Sequence, residues 1–457
     1  MLNFNDIPTV GSIYFAGIGG ISMSALAMLL KNKGYNVCGY DRTTSELTDK
    51  LEKNGIRVFY DTKESNLDGV SCALYTTALC ADHPEILQIR KKGIPLYERA
   101  QLLGAIVKMY ANSIGVAGTH GKSTTSGMLA YVYLEDKKYD PTVLVGAVLP
   151  EIDSTYRIGN DENIVFEACE YKDAFLNFFP KISVVLNVRL DHTDYFPDLE
   201  WLVSSFGKFI SNTDKTGYSI VNLDSEGAVK AAQNYKGNLV TFSASGNRNA
   251  DFYASNIVMN KGFAEFDAYK NGSYHMTVSL SVPGVHNISN ALAVIACSDL
   301  CGISKKTVIA GIKRFKGVSR RFEYKGKFRG ADVFDDYAHH PDEIKASLTA
   351  AKGMGYNRTV CVFQPHTFSR LHDLFDDFAS SFTDCDLPVF ADVYSARENN
   401  IYGTTSKQLA EKVSGSVYLD SFSEIEEYLE KNIHPGDLLI FMGAGNITEL
   451  AKKITEK

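Results

Sequence analysis

Residues 115–125, G-V-A-G-T-H-G-K-S-T-T, constrain this chain more than any other stretch. A short apolar run precedes them (Ser113, Ile114, Val116, Ala117), and Ser126, Met128, Leu129, Val132 and Leu134 follow at roughly helical spacing. Strand, glycine turn, Lys-Ser and helix is the layout of a phosphate-binding loop. Glycines let successive backbone N–H groups turn toward one anion, and a helix start adds donors and the positive end of its dipole. In such a loop Lys122 reaches the terminal phosphates and Ser123 holds a Mg²⁺. The general pattern G-x-x-x-x-G-K-[ST] asks for glycine at position 116; here Val116 stands there, and the glycines are Gly115, Gly118 and Gly121.

The loop implies an open α/β sheet, and the rest of the chain alternates accordingly. With 457 residues, two to four domains are expected. Residues 12–17 (SIYFAG) read as a buried strand, Gly17-Ile18-Gly19-Gly20 as a turn, and the following apolar run through Leu30 as a helix. Residues 35–40 read as the next strand, ending at Asp41, which opens a nucleotide-binding βαβ unit. Ser22 stands where a dinucleotide fingerprint wants its third glycine, so this loop supports NAD weakly and could as well hold the diphosphate of another nucleotide. Strand 72–76, helix 84–92, strand 94–97 and a helix from about 98 to 109 lead into the phosphate loop, with a first boundary near 109.

Residues 163–170 (NIVFEACE) and 182–188 (ISVVLNV) read as parallel strands, apolar on both faces. Glu167 and Glu170 end the first; Asn187, Asp191 and His192 follow the second. Ligands collect at the carboxyl ends of such strands, and a carboxylate and an imidazole near a phosphate loop suit a divalent cation. Residues 251–282 read as an antiparallel insert with turns at Asn260-Lys261-Gly262 and Asn271-Gly272. After Pro283-Gly284 a helix runs over 286–301, with Asn287 and Asn290 near its start, able to cap it or to face a base. Residues 317–321 (GVSRR) read as a linker. Beyond it, strands over 333–337, 360–363, 387–394 and 438–442 lead to Asp335-Asp336-Tyr337, Gln364-Pro365-His366, Ala396-Arg397-Glu398 and Gly443-Ala444-Gly445, a crevice lined for an anionic ligand.

The formal net charge of −7 argues against nucleic acid as the main partner. No apolar run approaches the roughly 20 residues of a spanning helix, and the first residues lack the basic region of a signal peptide. The eight cysteines form no C-x-x-C, which fits a reducing cytoplasm; Cys297 and Cys301, four apart, read as core residues of one helix. The expectation is a cytoplasmic protein without a membrane or nucleic-acid partner, monomeric or homodimeric.

Ten stretches together resemble the Mur ligases of peptidoglycan synthesis. They are GIGGISMS at 17–24, TTAL at 76–79, AGTHGKSTT at 117–125, EACEYKDAF at 167–175, LDHTDYF at 190–196, PGVHNISNALA at 283–293, GVSRRFE at 317–323, DDYAHHPDEI at 335–344, FQPHTFSR at 363–370 and GAGNI at 443–447. They run in family order over nearly the whole chain, and the loop form without glycine at 116 is a family trait. DDYAHHP with FQPH is similar to the branch that acts directly on UDP-N-acetylmuramic acid.

The resemblance implies three α/β domains. Residues 1–109 would be a Rossmann-like parallel sheet for the UDP-sugar. Residues 110–316 would be a P-loop ATPase domain with a small antiparallel insert. Residues 317–457 would be a Rossmann-like ligase domain that closes over ATP and helps hold the amino acid. It implies ATP and Mg²⁺ as cofactors, and UDP-N-acetylmuramate and L-alanine as substrates. ATP would phosphorylate the carboxylate, and the amine would then displace phosphate. By the same resemblance Gly118, Thr119, His120, Gly121, Lys122, Ser123 and Thr124 hold the phosphates, and Ser123, Glu167 and His192 hold Mg²⁺. His286 and Asn290 match adenine contacts; Arg321 (or Arg320) and Asp336 match residues around the nucleotide. His339, His366 and Arg370 match substrate-facing positions. Gly17, Gly19, Gly20 and Ser22 match the UDP diphosphate loop, with Thr76 and Thr77 beside it. Lys122, Glu167, His192, Arg321 and His339 would carry the catalysis. Three positions depart from common family forms: Thr367 stands where many members have arginine, EACEYKDAF replaces EADESDASF, and Asn446 often corresponds to an acid. Lys208 reads as a helix residue. The alternatives are the same chemistry with glycine, serine or a tripeptide, an NAD-dependent oxidoreductase using the first glycine loop, and a non-catalytic nucleotide-binding regulator.

Overall fold

The computed structural model describes residues 2–193, 195–396 and 398–456. Of the positions singled out above, Asp194 and Arg397 lie outside the described residues. The fold is α/β in three domains, and backbone packing groups it into two compact units. The first holds Met1–Val188, Val203–Val221 and Ser225–Val240; the second holds Arg189–Leu202, Asn222–Asp224 and Thr241–Lys457.

The first unit opens with a five-stranded sheet in the order Arg57–Phe59, Asn36–Tyr40, Ser12–Ala16, Val70–Tyr75, Leu96–Glu98. All neighbours are parallel. The chain winds one way from Ser12–Ala16 and the other way from Val70–Tyr75, so the order reverses between these two strands. A reversal of this kind opens a crevice at the carboxyl ends, which is where Gly17 and Thr76 follow their strands. Tyr14, Ala16, Ala73, Ile86 and Ile89 pack the core on one face.

The same unit carries the phosphate-loop strand Asn112–Ala117 between Asn163–Glu167 and Ile182–Val185, both parallel to it. Thr142–Leu149 pairs outside Asn163–Glu167, and Ser154–Arg157 closes that side antiparallel. Two expected strands end early. Residues 163–170 leave the ladder after Glu167, and Lys172 and Asp173 take left-handed angles (φ 52° and 57°) in the turn Tyr171–Asn177 that follows. Residues 182–188 leave it after Val185 because the carbonyl of Asn187 turns to accept the Thr119 N–H at 3.1 Å.

In the second unit, Phe252–Asn260, Phe263–Lys270 and Ser273–Pro283 form the expected antiparallel insert. Both connections are two-residue loops with positive φ throughout, Lys261-Gly262 (47°, 81°) and Asn271-Gly272 (49°, 78°), the handedness that matches strand twist. The C-terminal sheet runs Glu323–Phe328, Ala331–Asp336, Asp437–Met442, Arg358–Phe363, Leu387–Phe390, Val417–Tyr418. Only its first pair is antiparallel. Val333, Val360, Val362, Leu439 and Phe441 pack one face; Phe334, Cys361, Phe363, Ile440 and Met442 pack the other. Burial on both faces explains why these strands read as unbroken apolar runs. The register pairs Asp336 with Met442, Met442 with Phe363, and Phe363 with Phe390, so four strand ends finish level. The elements Thr142–Leu149, Ser154–Arg157 and Lys305–Arg314 carried no sequence signal that singled them out. Lys208 lies on Leu199–Ser211. No helix among the described residues is long and apolar enough to cross a membrane.

Candidate functional site

In the first unit the helix Lys122–Leu134 starts directly at Gly121, whose φ of 86° excludes a side chain at little cost. No side chain caps this helix, so its first N–H groups are available to an anion. Gly118 has φ 148°, and a Cβ there would lie 3.0 Å from the Leu186 Cβ. Gly115 serves differently from the turn role expected of it. It lies inside the strand, where a Cβ would meet the Phe166 ring at 2.8 Å. Val116 is likewise a fully buried strand residue.

Asn187 ties the loop down. Its Oδ1 accepts the His120 N–H at 2.8 Å and its Nδ2 donates to the His120 carbonyl at 3.0 Å. Lys122 Nζ donates to the carbonyls of Gly118 (2.5 Å) and Thr119 (3.2 Å) and to Glu170 Oε1 (3.0 Å). Burial pulls the lysine toward neutrality, but the Glu170 carboxylate outweighs it and holds Lys122 above the usual lysine value. Ser123 is buried beside it. Glu167, opposite Val116 in the ladder, accepts the Gly146 N–H at 2.6 Å through Oε1. Glu170 is fully buried and takes a role that its expected place at a strand end did not suggest.

At the other crevice of this unit, Gly17 (φ 84°) would bring a Cβ within 2.9 Å of Thr76 Cγ2. Gly20 precedes the helix Ile21–Asn32, which has no side-chain cap. Asp41 Oδ2 accepts the Gly19 N–H at 2.7 Å, and Ser22 Oγ accepts from Arg99 Nη1 at 3.0 Å. Thr76 Oγ1 accepts the Ala78 N–H at 3.3 Å, and Thr77 is exposed.

In the second unit, Asp191 gathers the histidines and an arginine expected separately. Its Oδ1 is 3.1 Å from Arg370 Nη2, and its Oδ2 is 3.9 Å from His192 Nε2. Burial alone would raise its pKa; Arg370, then His192 and His339, hold it well below the carboxylate range instead. Arg370 also donates to the His366 carbonyl at 2.9 Å. The His366 ring stacks on Tyr394 at 5.6 Å and lies 6.0 Å from the His339 ring. Burial pushes His339 down to about 3, so it is neutral. Its Nδ1–H donates to the Tyr337 carbonyl at 2.9 Å, which leaves Nε2 as an acceptor. The signal for Asp191 was its place directly before His192 at the end of a strand.

The expected linker arginines differ. Arg320 is committed to the fold: Nη2 donates to the carbonyls of Gly443 (2.7 Å) and Gly445 (3.1 Å), and Nε lies 3.7 Å from Asp335. Arg321 lies over the Tyr337 ring and 3.4 Å from Glu343. Asp336 is buried and accepts from Ser347 Oγ at 2.5 Å; desolvation raises it to about 6. Asn290 donates to Asn287 at 2.9 Å, and Asn287 donates to the Pro283 carbonyl at 2.7 Å, a network that builds the start of His286–Leu300; His286 itself is exposed.

Three family models match in sequence: the Mur ligase family catalytic domain over 12–111, the Mur ligase middle domain over 116–298, and the Mur ligase glutamate ligase domain over 320–445. This chain belongs to the Mur ligase family. It is 42% identical to a UDP-N-acetylmuramate–L-alanine ligase of Clostridium acetobutylicum over 99% of both chains. It is 40% identical to the Clostridium perfringens protein of that name over 96% of both. The crystal structure of UDP-N-acetylmuramate–alanine ligase from Thermotoga maritima superposes with a TM-score of 0.82 at 28% identity, covering 98% of each chain. As a Mur ligase it is an ATP-dependent, amide-forming enzyme.

Proposed function

We propose that this Mur ligase joins L-alanine to the carboxylate of UDP-N-acetylmuramate, with ATP converted to ADP and phosphate, in peptidoglycan precursor synthesis. The observation that carries this reading is the 42% identity, over 99% of both chains, to a relative bearing that name. Residues 1–109 take the UDP-sugar, 110–316 take ATP, and 317–457 complete the ligase site. The enzyme works in the cytoplasm as a monomer or homodimer, without nucleic-acid or membrane partners.

A carboxylate is a poor electrophile with a poor leaving group, and phosphorylation supplies a good one. The loop N–H groups of Gly118–Thr124 and the charged Lys122 orient the γ-phosphoryl group of ATP toward the acid. Ser123 and Glu167 offer hard oxygen ligands and His192 an imidazole, a donor set that fits Mg²⁺. When bound, the cation neutralises phosphate charge as two anions meet. His286 and Asn290 receive adenine, and Arg321 and Asp336 stand near the nucleotide. His339, neutral and with Nε2 open, accepts a hydrogen bond from the incoming amine, while His366 and Arg370 position the substrates.

The test offers each amino acid singly with ATP, Mg²⁺ and UDP-N-acetylmuramate and measures phosphate release and product mass. Release with alanine is expected, abolished by EDTA and restored by Mg²⁺. No release with any amino acid overturns the substrate reading; release with serine or glycine but not alanine overturns the choice of amino acid alone.

A further inference from the structure

His192 lies in no helix or strand. It follows the strand Ile182–Val185 and precedes the helix Leu199–Ser211. Its φ of 54° is left-handed, a conformation that a residue other than glycine or asparagine keeps only where its surroundings enforce it. Its carbonyl accepts the N–H groups of Tyr195 (2.8 Å) and Phe196 (2.9 Å), so a tight turn follows it. The stretch Arg189–Leu202 packs in the second unit, together with Thr241–Lys457.

The residues on either side of His192 are tied to one short helix, Phe368–Asp373. On one side, Asp191 Oδ1 accepts the His192 N–H at 2.7 Å and lies 3.1 Å from Arg370 Nη2. A single carboxylate oxygen therefore fixes the backbone of His192 and receives the guanidinium. The side chains of Asp191 and Arg370 are 9% and 14% exposed, so this link is shielded from water. Asp191 Oδ2 is 3.9 Å from His192 Nε2, beyond hydrogen-bond reach, so the hold acts on the backbone rather than on the ring. On the other side, Thr193 Oγ1 donates to Asp373 Oδ2 at 2.7 Å. Arg370 and Asp373 are an i, i+3 pair and share a face of that helix. Arg189 adds an ion pair with Asp342 at 3.1 Å, but both side chains reach solvent and the pair is worth little.

We infer that the helix Phe368–Asp373 positions His192 for the cation, acting through Asp191 and Thr193. This rests on the proposed role of His192 as a Mg²⁺ ligand. A ligating imidazole has to be held in one orientation, and the groups behind it set how tightly the metal binds. Here those groups are anchored on the helix that also carries Arg370, a substrate-facing residue. The cation site and the substrate site share one support, and a shift of that helix moves both.

The experiment titrates Mn²⁺ into the full chain with a non-hydrolysable ATP analogue present and reads free Mn²⁺ by electron paramagnetic resonance. The proteins are wild type, His192→Ala, Asp191→Ala, Thr193→Val, Asp373→Ala, and the pairs Asp191→Ala with His192→Ala and Thr193→Val with Asp373→Ala. Loss of a group that orients a metal-ligating histidine weakens metal binding about 10- to 100-fold, which is expected for Asp191→Ala. Thr193→Val and Asp373→Ala each remove one exposed hydrogen bond and are expected to weaken Mn²⁺ binding about 2- to 5-fold at an unchanged melting temperature. Together they are expected to cost no more than either alone, since both break the same bond. Affinity for the ATP analogue in EDTA stays at the wild-type value. Wild-type Mn²⁺ affinity in Asp191→Ala overturns the inference. A loss that persists at full size in the His192→Ala background does so too, because the effect then bypasses His192. Should Asp191→Ala fail to fold, Thr193→Val and Asp373→Ala decide alone, and wild-type affinity in both overturns the inference. Wild-type affinity in His192→Ala itself would overturn the reading of His192 as a ligand, and the inference with it.

Discussion

Replacing Glu170 with glutamine keeps the shape of the Lys122 partner and removes its charge. At 3.0 Å, the attraction between the two charges is about 5.5 kcal/mol at an effective dielectric of about 20. Desolvation of both groups opposes it, and breaking such a buried pair from one side typically costs about 3–5 kcal/mol. Lys122 keeps its bonds to two loop carbonyls and is 16% exposed, which puts the cost for Glu170→Gln near the lower end, about 3 kcal/mol. Because Lys122 titrates above the usual lysine value, its contribution is complete below that value and fades only as pH rises through the raised one. The cost is therefore flat across neutral pH. The assay is denaturant unfolding of wild type, Glu170→Gln, Lys122→Met and the double variant, read at the transition that ADP shifts. Removing both partners leaves neither charge stranded, so the double variant falls short of the sum of the singles by about 2–3 kcal/mol. Additivity within about 0.5 kcal/mol would refute the pairing.

Asp191→Asn strands Arg370 and is expected to lower stability at neutral pH by about 3 kcal/mol in denaturant melts. Asp191 is held below the carboxylate range, so its contribution is present above that range and lost as pH falls through the depressed value; the gap between variant and wild type closes in acid. Asp336 has the opposite sign. Its carboxyl is raised to about 6, so the folded state holds a proton that the unfolded chain releases near 3.8, and stability falls between those values as pH rises. Asp336→Asn is expected to melt higher than wild type at neutral pH, by up to about 3 kcal/mol, and to match it in acid. Gly104→Ala would press a Cβ within 2.1 Å of the Asn177 carbonyl oxygen, and differential scanning calorimetry should show a loss of about 1–3 kcal/mol.

What could be read from the residues was local. Asn271-Gly272 announced a two-residue hairpin loop because few residue pairs accept two positive φ angles. The four C-terminal strand ends were visible because buried parallel strands are apolar until they leave the sheet. The phosphate loop was legible for a similar reason, since its glycines, lysine and serine lie within one turn. The partners that set its chemistry were not. Glu170 is 48 residues from Lys122, and Arg370 is 179 residues from Asp191. No periodicity encodes a pair held together by the path of a sheet. Glu170 looked like the tail of a strand; it lies beyond the ladder, just before the left-handed Lys172 and Asp173, with its carboxylate on the lysine. Arg320 and Arg321 were interchangeable as letters; packing against the Gly443 and Gly445 carbonyls distinguishes them.

Asn187 holds the phosphate loop by both edges of one amide, from the tail of a neighbouring strand. A loop tied from outside has little freedom left to lose when a triphosphate arrives, so its share of the binding entropy is settled during folding. The shape of the turn is thus distributed over two distant segments. In that arrangement the strand simply runs on through the valine at 116, and the turn is pinned by an asparagine that no phosphate-loop pattern contains.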